Sequence, residues 1–414
     1  MGVAMARSRF DDANAAPGDR STVLSMSSTK PQSFVPHLLR TRLRTTFGRR
    51  ITPPFVTLYV TTLCDEKCIH CYYWNELNPR PNRDFRLDEF ERTLGSMDEI
   101  YNLFIGGGEP FLRPDLAEIF LAAARVNRVT NLYVPTNGQH TERVVETLDR
   151  VLPGAPRMRF HLNLSIDETG EQRHDFIRGK PKAFERMLRT SGAIQPLRAR
   201  FPNLVVHTLT TLMRENQERI FEIYEELIRR FDPDGVSFNY CRGNSLDPAQ
   251  TAVDGKIYAR LRRRLEDDFA KGRFRWLGRG RNRTSNHLLD QRVRFTVDRT
   301  VAEQRAQFSC VSGRLAGVIY SDGAVTECEV NNSPLGNLRD VDYDFRKLWF
   351  TPRAEEVARN AANGCFCTHE CGHYASAIYS VPAVATIAGR AALVDIKRAF
   401  APPRAEAVAA DAAR

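Results

Sequence analysis

The 414-residue chain carries 60 Lys and Arg against 50 Asp and Glu, a net charge of +10, with 42% hydrophobic and 27% charged residues. This length supports two or three domains whose cores need no disulfide support, and so many acidic residues exclude a polycation. The nine cysteines are too few for a disulfide scaffold, and no stretch reaches the roughly 18 apolar residues of a membrane span.

In chain order, residues 1–33 are small, polar and aperiodic and are expected to be disordered. Residues 34–50 form a basic segment in which Arg40, Arg42, Arg44, Arg49 and Arg50 alternate with Leu39, Leu43 and Phe47. Strand-like runs follow at 55–62, 101–107, 131–136, 159–167, 204–212 and 235–241. Between and after them lie helix-like stretches near 87–97, 114–127, 140–152, 181–199, 216–231 and 254–271. Six β-then-α units argue for a parallel sheet wrapped by helices, which right-handed crossovers curl into all or part of a barrel at 51–245. Residues 246–305 read as a helical connector, 315–330 as a hairpin turning at Ser321-Asp322-Gly323, and 343–361 as a helix. An apolar helix at 376–400 and an Ala-rich disordered tail at 401–414 end the chain.

The cysteines are clustered. Cys64, Cys68 and Cys71 share one loop after the first strand, and Cys365, Cys367 and Cys371 lie near the end, with Cys310 and Cys328 between. No apolar core of signal-peptide length opens the sequence, so this clustering points to metal binding in a reducing cytoplasm. With His70, the first set offers the donors of a Cys3His zinc site, but structural zinc ligands come as pairs that tie distant segments together. Three thiols on a loop at the carboxyl end of a strand suggest instead a metal centre open on one side.

Cys64-x3-Cys68-x2-Cys71 resembles the cluster motif of the radical S-adenosylmethionine (SAM) enzymes, whose usual aromatic before the last cysteine is here His70. The resemblance implies that the three thiolates bind a [4Fe–4S] cluster whose fourth iron takes SAM. Reductive cleavage then gives a 5′-deoxyadenosyl radical that abstracts hydrogen from substrate. It also implies a partial (β/α)6 TIM-like barrel and an electron donor such as flavodoxin or ferredoxin. Further motifs occur in the family's order: Gly106-Gly107-Gly108-Glu109 at the end of the second strand, Thr136-Asn137-Gly138 at the third, and Ser165-x-Asp167 with His174-Asp175 and Arg178-Gly179 after the fourth. By resemblance the glycines, Glu109, Asn137, Ser165 and His70 surround SAM, and Glu109 pairs with its ammonium. Arg178 pairs with a carboxylate, and Asn216 holds backbone or cofactor or caps a helix.

Cys310-x12-Gly323-x4-Cys328 and the segment 334–350 resemble the SPASM and twitch extensions of these enzymes, which implies a small α+β iron–sulfur domain at 306–375. Five cysteines suffice for one auxiliary [4Fe–4S] cluster rather than two. Cys310, Cys328, Cys365 and Cys371 are the favoured set, with Cys367 or His369 in place of Cys371 as the alternative, and a structural zinc as another. Cys241 reads as a small buried residue or a substrate-facing thiol.

The substrate is less legible. About 50 residues before the barrel are too few for a precursor-binding domain, which favours a small or lipid-linked metabolite over peptide maturation with a separate recognition protein. The segments 34–50 and 374–389 are also compatible with a peripheral membrane contact. The arginines at 260, 262–264, 273, 275, 279, 281 and 283 form a basic stretch, but Glu266, Asp267 and Asp268 interrupt it, so nucleic acid is not the expected partner. A non-catalytic iron–sulfur or zinc protein would leave the glycine motif without a role.

Overall fold

The structure is a computed structural model that describes residues 34–274 and 281–399. The expected disorder at 1–33 and 401–414, and Arg275 and Arg279, lie outside the described residues. The elements run α1 (Phe34–Thr46), β1 (Phe55–Thr61), α2 (Leu87–Gly95), β2 (Asn102–Gly107), α3 (Leu116–Val126), β3 (Asn131–Thr136), α4 (Thr141–Gly154) and β4 (Arg159–Ser165). They continue with α5 (Glu171–Arg178), α6 (Ala183–Ala193), α7 (Gln195–Arg200), β5 (Leu204–Leu212), α8 (Ile220–Phe231), β6 (Gly235–Tyr240), α9 (Gly255–Ala270) and α10 (Arg281–Glu303). The C-terminal part holds β7 (Ala316–Ile319), β8 (Ala324–Thr326), β9 (Pro334–Asn337), α11 (Phe345–Trp349), α12 (Pro352–Gly364), α13 (Glu370–Tyr379) and α14 (Val381–Ala399).

The sheet order is β6-β5-β4-β3-β2-β1-β7-β8-β9, parallel from β6 to β7. Strands β1 to β6 are the expected six-stranded partial barrel. Five of the seven residues of β1 are apolar and six are buried, as a strand covered on both faces requires. Helix α8 shows the matching period: Ile220, Ile223, Tyr224, Leu227 and Phe231 form its buried stripe. The hairpin at Ser321-Asp322-Gly323 is present and extends the barrel's own sheet, Phe55–Leu58 pairing with Ala316–Ile319. Strand β1 is thereby not an open edge.

Three helices expected as single pieces are broken. The stretch 181–199 divides at Ile194 ahead of Pro196, 343–361 divides at Phe350–Thr351 ahead of Pro352, and 376–400 starts early and breaks at Ser380 ahead of Pro382. The cause is common to all three: proline has no N–H to continue the ladder, so it opens a new first turn. At Thr351 the hydroxyl also accepts from Ala354 N at 3.1 Å, capping the new helix.

Glu89 fastens the C-terminal part to the barrel. Its Oε1 accepts from Arg339 Nε (3.1 Å) and Tyr343 OH (2.5 Å), and its Oε2 from Arg86 N (2.8 Å). Burial pushes this carboxyl up, but those donors outweigh it and hold it at about 2. Glu89→Gln is therefore expected to lower stability at neutral pH by about 1–3 kcal/mol, the worth of a charged hydrogen-bond set. A depressed carboxyl stabilises above its unfolded value of about 4.3 and stops doing so as pH falls towards 2, so urea midpoints of parent and variant should converge over that interval.

Candidate active site

The loop 62–73 leaves β1 at the barrel's carboxyl end and is fixed from two sides. Lys67 N and Ile69 N donate to the Arg178 and Ile177 carbonyls at the end of α5 (3.1 and 3.0 Å), while Gly108 N and Glu109 N reach the Thr61 and Leu63 carbonyls (both 2.8 Å). That second approach is possible only without a side chain: a Cβ on Gly108 would lie 2.0 Å from Leu63 O, and one on Gly107, at φ +107°, 2.2 Å from Thr61 O. The cysteine loop and the end of β2 thus form one unit.

Around it opens a cavity of about 460 Å³. Cys64, Cys68, Cys71, His70, Gly106, Gly107, Gly108, Glu109, Asn137 and Ser165 all line it, so the sequence candidates of the first half of the chain converge. Its inner wall carries Tyr133, Asn163, His207 and Ser237 from the strands, backed by Asp290 and Arg294 of α10 and Tyr374 of α13.

Some expected roles change. Both Glu109 oxygens are engaged within the protein, Oε1 by Phe111 N (3.1 Å) and Thr136 Oγ1 (3.0 Å), Oε2 by Asn137 N (2.7 Å). Glu109 therefore ties the ends of β2 and β3 together, and burial still lifts its carboxyl to about 7. Asn137 donates to Asp65 Oδ1 at 2.8 Å. Asn216 stands at the N-cap of the short 3-10 turn Gln217–Arg219 but makes no side-chain cap bond: its amide bridges the Asp167 and Thr211 carbonyls (2.8 and 2.9 Å) and accepts from Met213 N, clamping backbone. Arg178 is a buried ion partner, 2.8 Å from Asp167 and 3.6 Å from Glu66, with Cys68 Sγ at 3.8 Å. Cys241 is buried against Ile177 and Met213 in the cavity wall.

The second cysteine set is divided between two cavities. Cys310, Cys328, Cys365 and Cys367 line one small cavity of about 20 Å³, whereas Cys371 faces the large cavity with the first three cysteines. The α12–α13 connection explains this, because Cys371 lies in the first turn of α13 and turns with it towards the barrel. His369 lines both cavities, and its Nε2 is 2.8 Å from Glu329.

Sequence reasoning missed the polar bridge between the two sets. The Tyr72 and Tyr59 hydroxyls are 3.0 Å apart, and Tyr59 OH donates to Glu329 at 3.0 Å. Burial pushes Glu329 up, yet His369, Arg242 and Tyr59 hold it at about 2. Arg242 pairs with Glu370 at 2.7 Å, and Glu370 also accepts from Tyr240 N at the free edge of β6. Adjacency was the available signal: Tyr72 follows Cys71 and Glu329 follows Cys328.

The model of the radical SAM superfamily matches residues 58–227, the span that contains the triad, the glycine strand end and the Ser165–Asp167 turn. Residues 58–227 are a radical SAM domain. A GTP 3′,8-cyclase of Saccharophagus degradans is 31% identical over 130 residues, 31% of this chain and 37% of that protein. An AdoMet-dependent heme synthase of Methanosarcina barkeri is 31% identical over 179 residues, 42% of this chain and 48% of that protein. The chain thus spans less than half the length of these curated relatives. Among solved structures, native anSMEcpe with bound AdoMet and Cp18Cys peptide matches with a TM-score of 0.52 at 16% identity, covering 82% of this chain and 99% of that one. Streptococcus suis SuiB bound to S-adenosylmethionine matches at 0.54 and 17%, covering 78% and 71%. At these identities the structures establish a shared fold.

A radical SAM domain implies a [4Fe–4S] cluster and SAM, and the residues present fit both. Burial raises all three thiols of the triad, Cys64 to about 12, so alone they stay protonated and a thiolate there needs a cation beside it. Around the loop, Glu66 Oε1, His70 Nδ1 and Arg178 Nε are buried without a hydrogen-bond partner, which a bound polar group would relieve. Among the described residues no three His, Cys, Asp or Glu side chains are already drawn in to bind a single metal ion.

Proposed function

We propose that this chain is a radical SAM enzyme in which Cys64, Cys68 and Cys71 hold the catalytic cluster and Gly106, Gly107, Gly108, Glu109, Asn137, Ser165 and His70 surround SAM. The observation that carries this is the single cavity shared by the triad, the glycine strand end and the barrel interior. The chemistry that the pair of cofactors supplies when bound is abstraction of a hydrogen atom from substrate. The chain's own contribution is placement and exclusion of water: Glu109 fixes the β2 and β3 ends, and α10 and α13 back the cavity. A cavity backed in this way suits a small metabolite or the end of a lipid-linked one. An electron from flavodoxin or ferredoxin would enter at the cluster.

Cys310, Cys328, Cys365 and Cys367 are the proposed ligands of one auxiliary [4Fe–4S] cluster, with Cys371 left facing the substrate cavity. The small cavity they line requires residues 365–369, which carry no helix or strand, to move outward. A second reading, peptide maturation, is favoured by the fold shared with anSMEcpe bound to the Cp18Cys peptide and with SuiB bound to precursor peptide SuiA.

The test is anaerobic reconstitution followed by reduction with dithionite. The parent should hold about eight irons and release 5′-deoxyadenosine and methionine from SAM, while the Cys64→Ala/Cys68→Ala/Cys71→Ala variant should hold about four and release neither. A parent that binds zinc at both places, or releases no 5′-deoxyadenosine, would sink the reading. About four irons and one zinc in the parent would keep the catalytic cluster and overturn the auxiliary one.

A further inference from the structure

We propose that the face formed by α1 and the start of α14 docks this protein on an anionic lipid bilayer, whatever the barrel cavity transforms. Helix α1 is held by its inner side: His37, Leu38 and Thr41 are buried, His37 Nε2 is 2.9 Å from Tyr379 OH, and Arg42 donates to the Tyr379 carbonyl. The His37 ring also stacks on Tyr101 at 4.2 Å. That leaves the outer side exposing Leu39 (57%), Leu43 (57%) and Phe47 (83%). These positions are four apart, Phe47 in the turn that ends the helix with its N–H on Leu43 O, so they make one stripe rather than scattered surface residues.

Helix α14 begins two residues beyond Tyr379 and exposes further apolar side chains. Val381 and Leu393 are 53% and 59% exposed there, while Ile387 and Ala391 are buried in the cluster that also holds Leu38 and Tyr379. The charge around this apolar face has one sign. No Asp or Glu occurs from 20 to 64, and none from 371 to 394. Arg40, Arg42 and Arg44 flank the stripe within the helix, and Arg49 and Arg50 follow it. Arg40 and Arg50 reach Glu99 (3.5 Å) and Glu355 (3.1 Å), but both are more than half exposed, so these pairs are weak and open to a second anion. Apolar residues beside arginines whose acid partners are few and weakly held match a layer of anionic headgroups over acyl chains. No single described helix is long and apolar enough to cross a membrane, and α13 with α14 turn by 81°. The contact lies on the bilayer.

The experiment is co-sedimentation of the full chain, purified anaerobically, with sucrose-loaded vesicles of phosphatidylcholine alone or with about 30% phosphatidylglycerol. At about 0.1 M salt the protein should pellet with the anionic vesicles, and at least about tenfold less with phosphatidylcholine or at about 1 M salt. Leu39→Ser/Leu43→Ser/Phe47→Ser, and separately Arg44→Gln/Arg49→Gln, should each lower binding about tenfold, with circular dichroism and iron content unchanged. Absence of binding by the parent, or equal binding by both variants, would overturn the proposal. So would light scattering that shows a dimer dissolved by the Ser variant without vesicle binding, which assigns the face to a second copy. Vesicle binding that appears only after residues 1–33 are removed would assign it to the chain's own N-terminus. No turnover is read, so this result and the catalytic reading stand or fall separately.

Discussion

Arg178→Met is expected to destabilise the protein by about 3–5 kcal/mol, the cost of leaving buried charges without their partner. Arg178 stands between Asp167 and Glu66, all three nearly inaccessible to solvent. Burial, helped by Glu109 and Asp65, outweighs Arg178 and leaves Glu66 raised to about 8, whereas Arg178 and His70 outweigh burial at Asp167 and hold its carboxyl below the ordinary range. Because a whole domain is stabilised by only about 5–15 kcal/mol, the loss should be visible as a large fall in the urea midpoint. Adding Asp167→Asn should restore part of it, since the penalty comes mainly from the orphaned Asp167 carboxylate rather than from lost packing. If the single variant unfolds at the parental midpoint, or the second substitution makes matters worse, the ion cluster does not hold the loop.

Gly108→Ala should reduce SAM cleavage by about a hundredfold, the usual cost of misplacing a reacting group by an ångström. The new Cβ would meet Leu63 O at 2.0 Å and the Cys64 Cβ at 3.1 Å, and backbone cannot yield as a flexible side chain can. The cysteine loop must retreat from the strand end, breaking the 2.8 Å bonds that join them. Gly192→Ala is the matched control: nothing lies within 4 Å of its Cβ, it sits in α6, and the change should be neutral or stabilise by up to about 1 kcal/mol. Parental rates of 5′-deoxyadenosine release from Gly108→Ala would show that the close approach is dispensable.

The two predictions rest on contacts of different legibility. Gly106-Gly107-Gly108-Glu109 could be read directly, because a run of glycines after a strand marks a place where backbone must come close. What else Glu109 does could not: its partners Phe111, Thr136 and Asn137 are brought to it by the pairing of β2 with β3, and they make a cofactor-side candidate a brace as well. Arg178 shows the same limit, since the Arg-Gly motif names an arginine without naming the carboxylates it will meet.

The six β-then-α units and the grouping of the first three cysteines were determined by the sequence alone, because strand and helix periods, turn residues and eight-residue spacings are local properties of the chain. The helix breaks at Pro196, Pro352 and Pro382 were written there too, in the missing N–H. Tertiary structure decided which cavity each late cysteine lines. Cys365, Cys367 and Cys371 are nearly equivalent along the chain, yet the first turn of α13 carries Cys371 to the barrel and leaves Cys367 with Cys310 and Cys328. It also decided that β7 joins β1 and that Glu370 covers the edge of β6. Such pairings depend on side chains more than a hundred residues apart, and only packing brings them within a few ångströms.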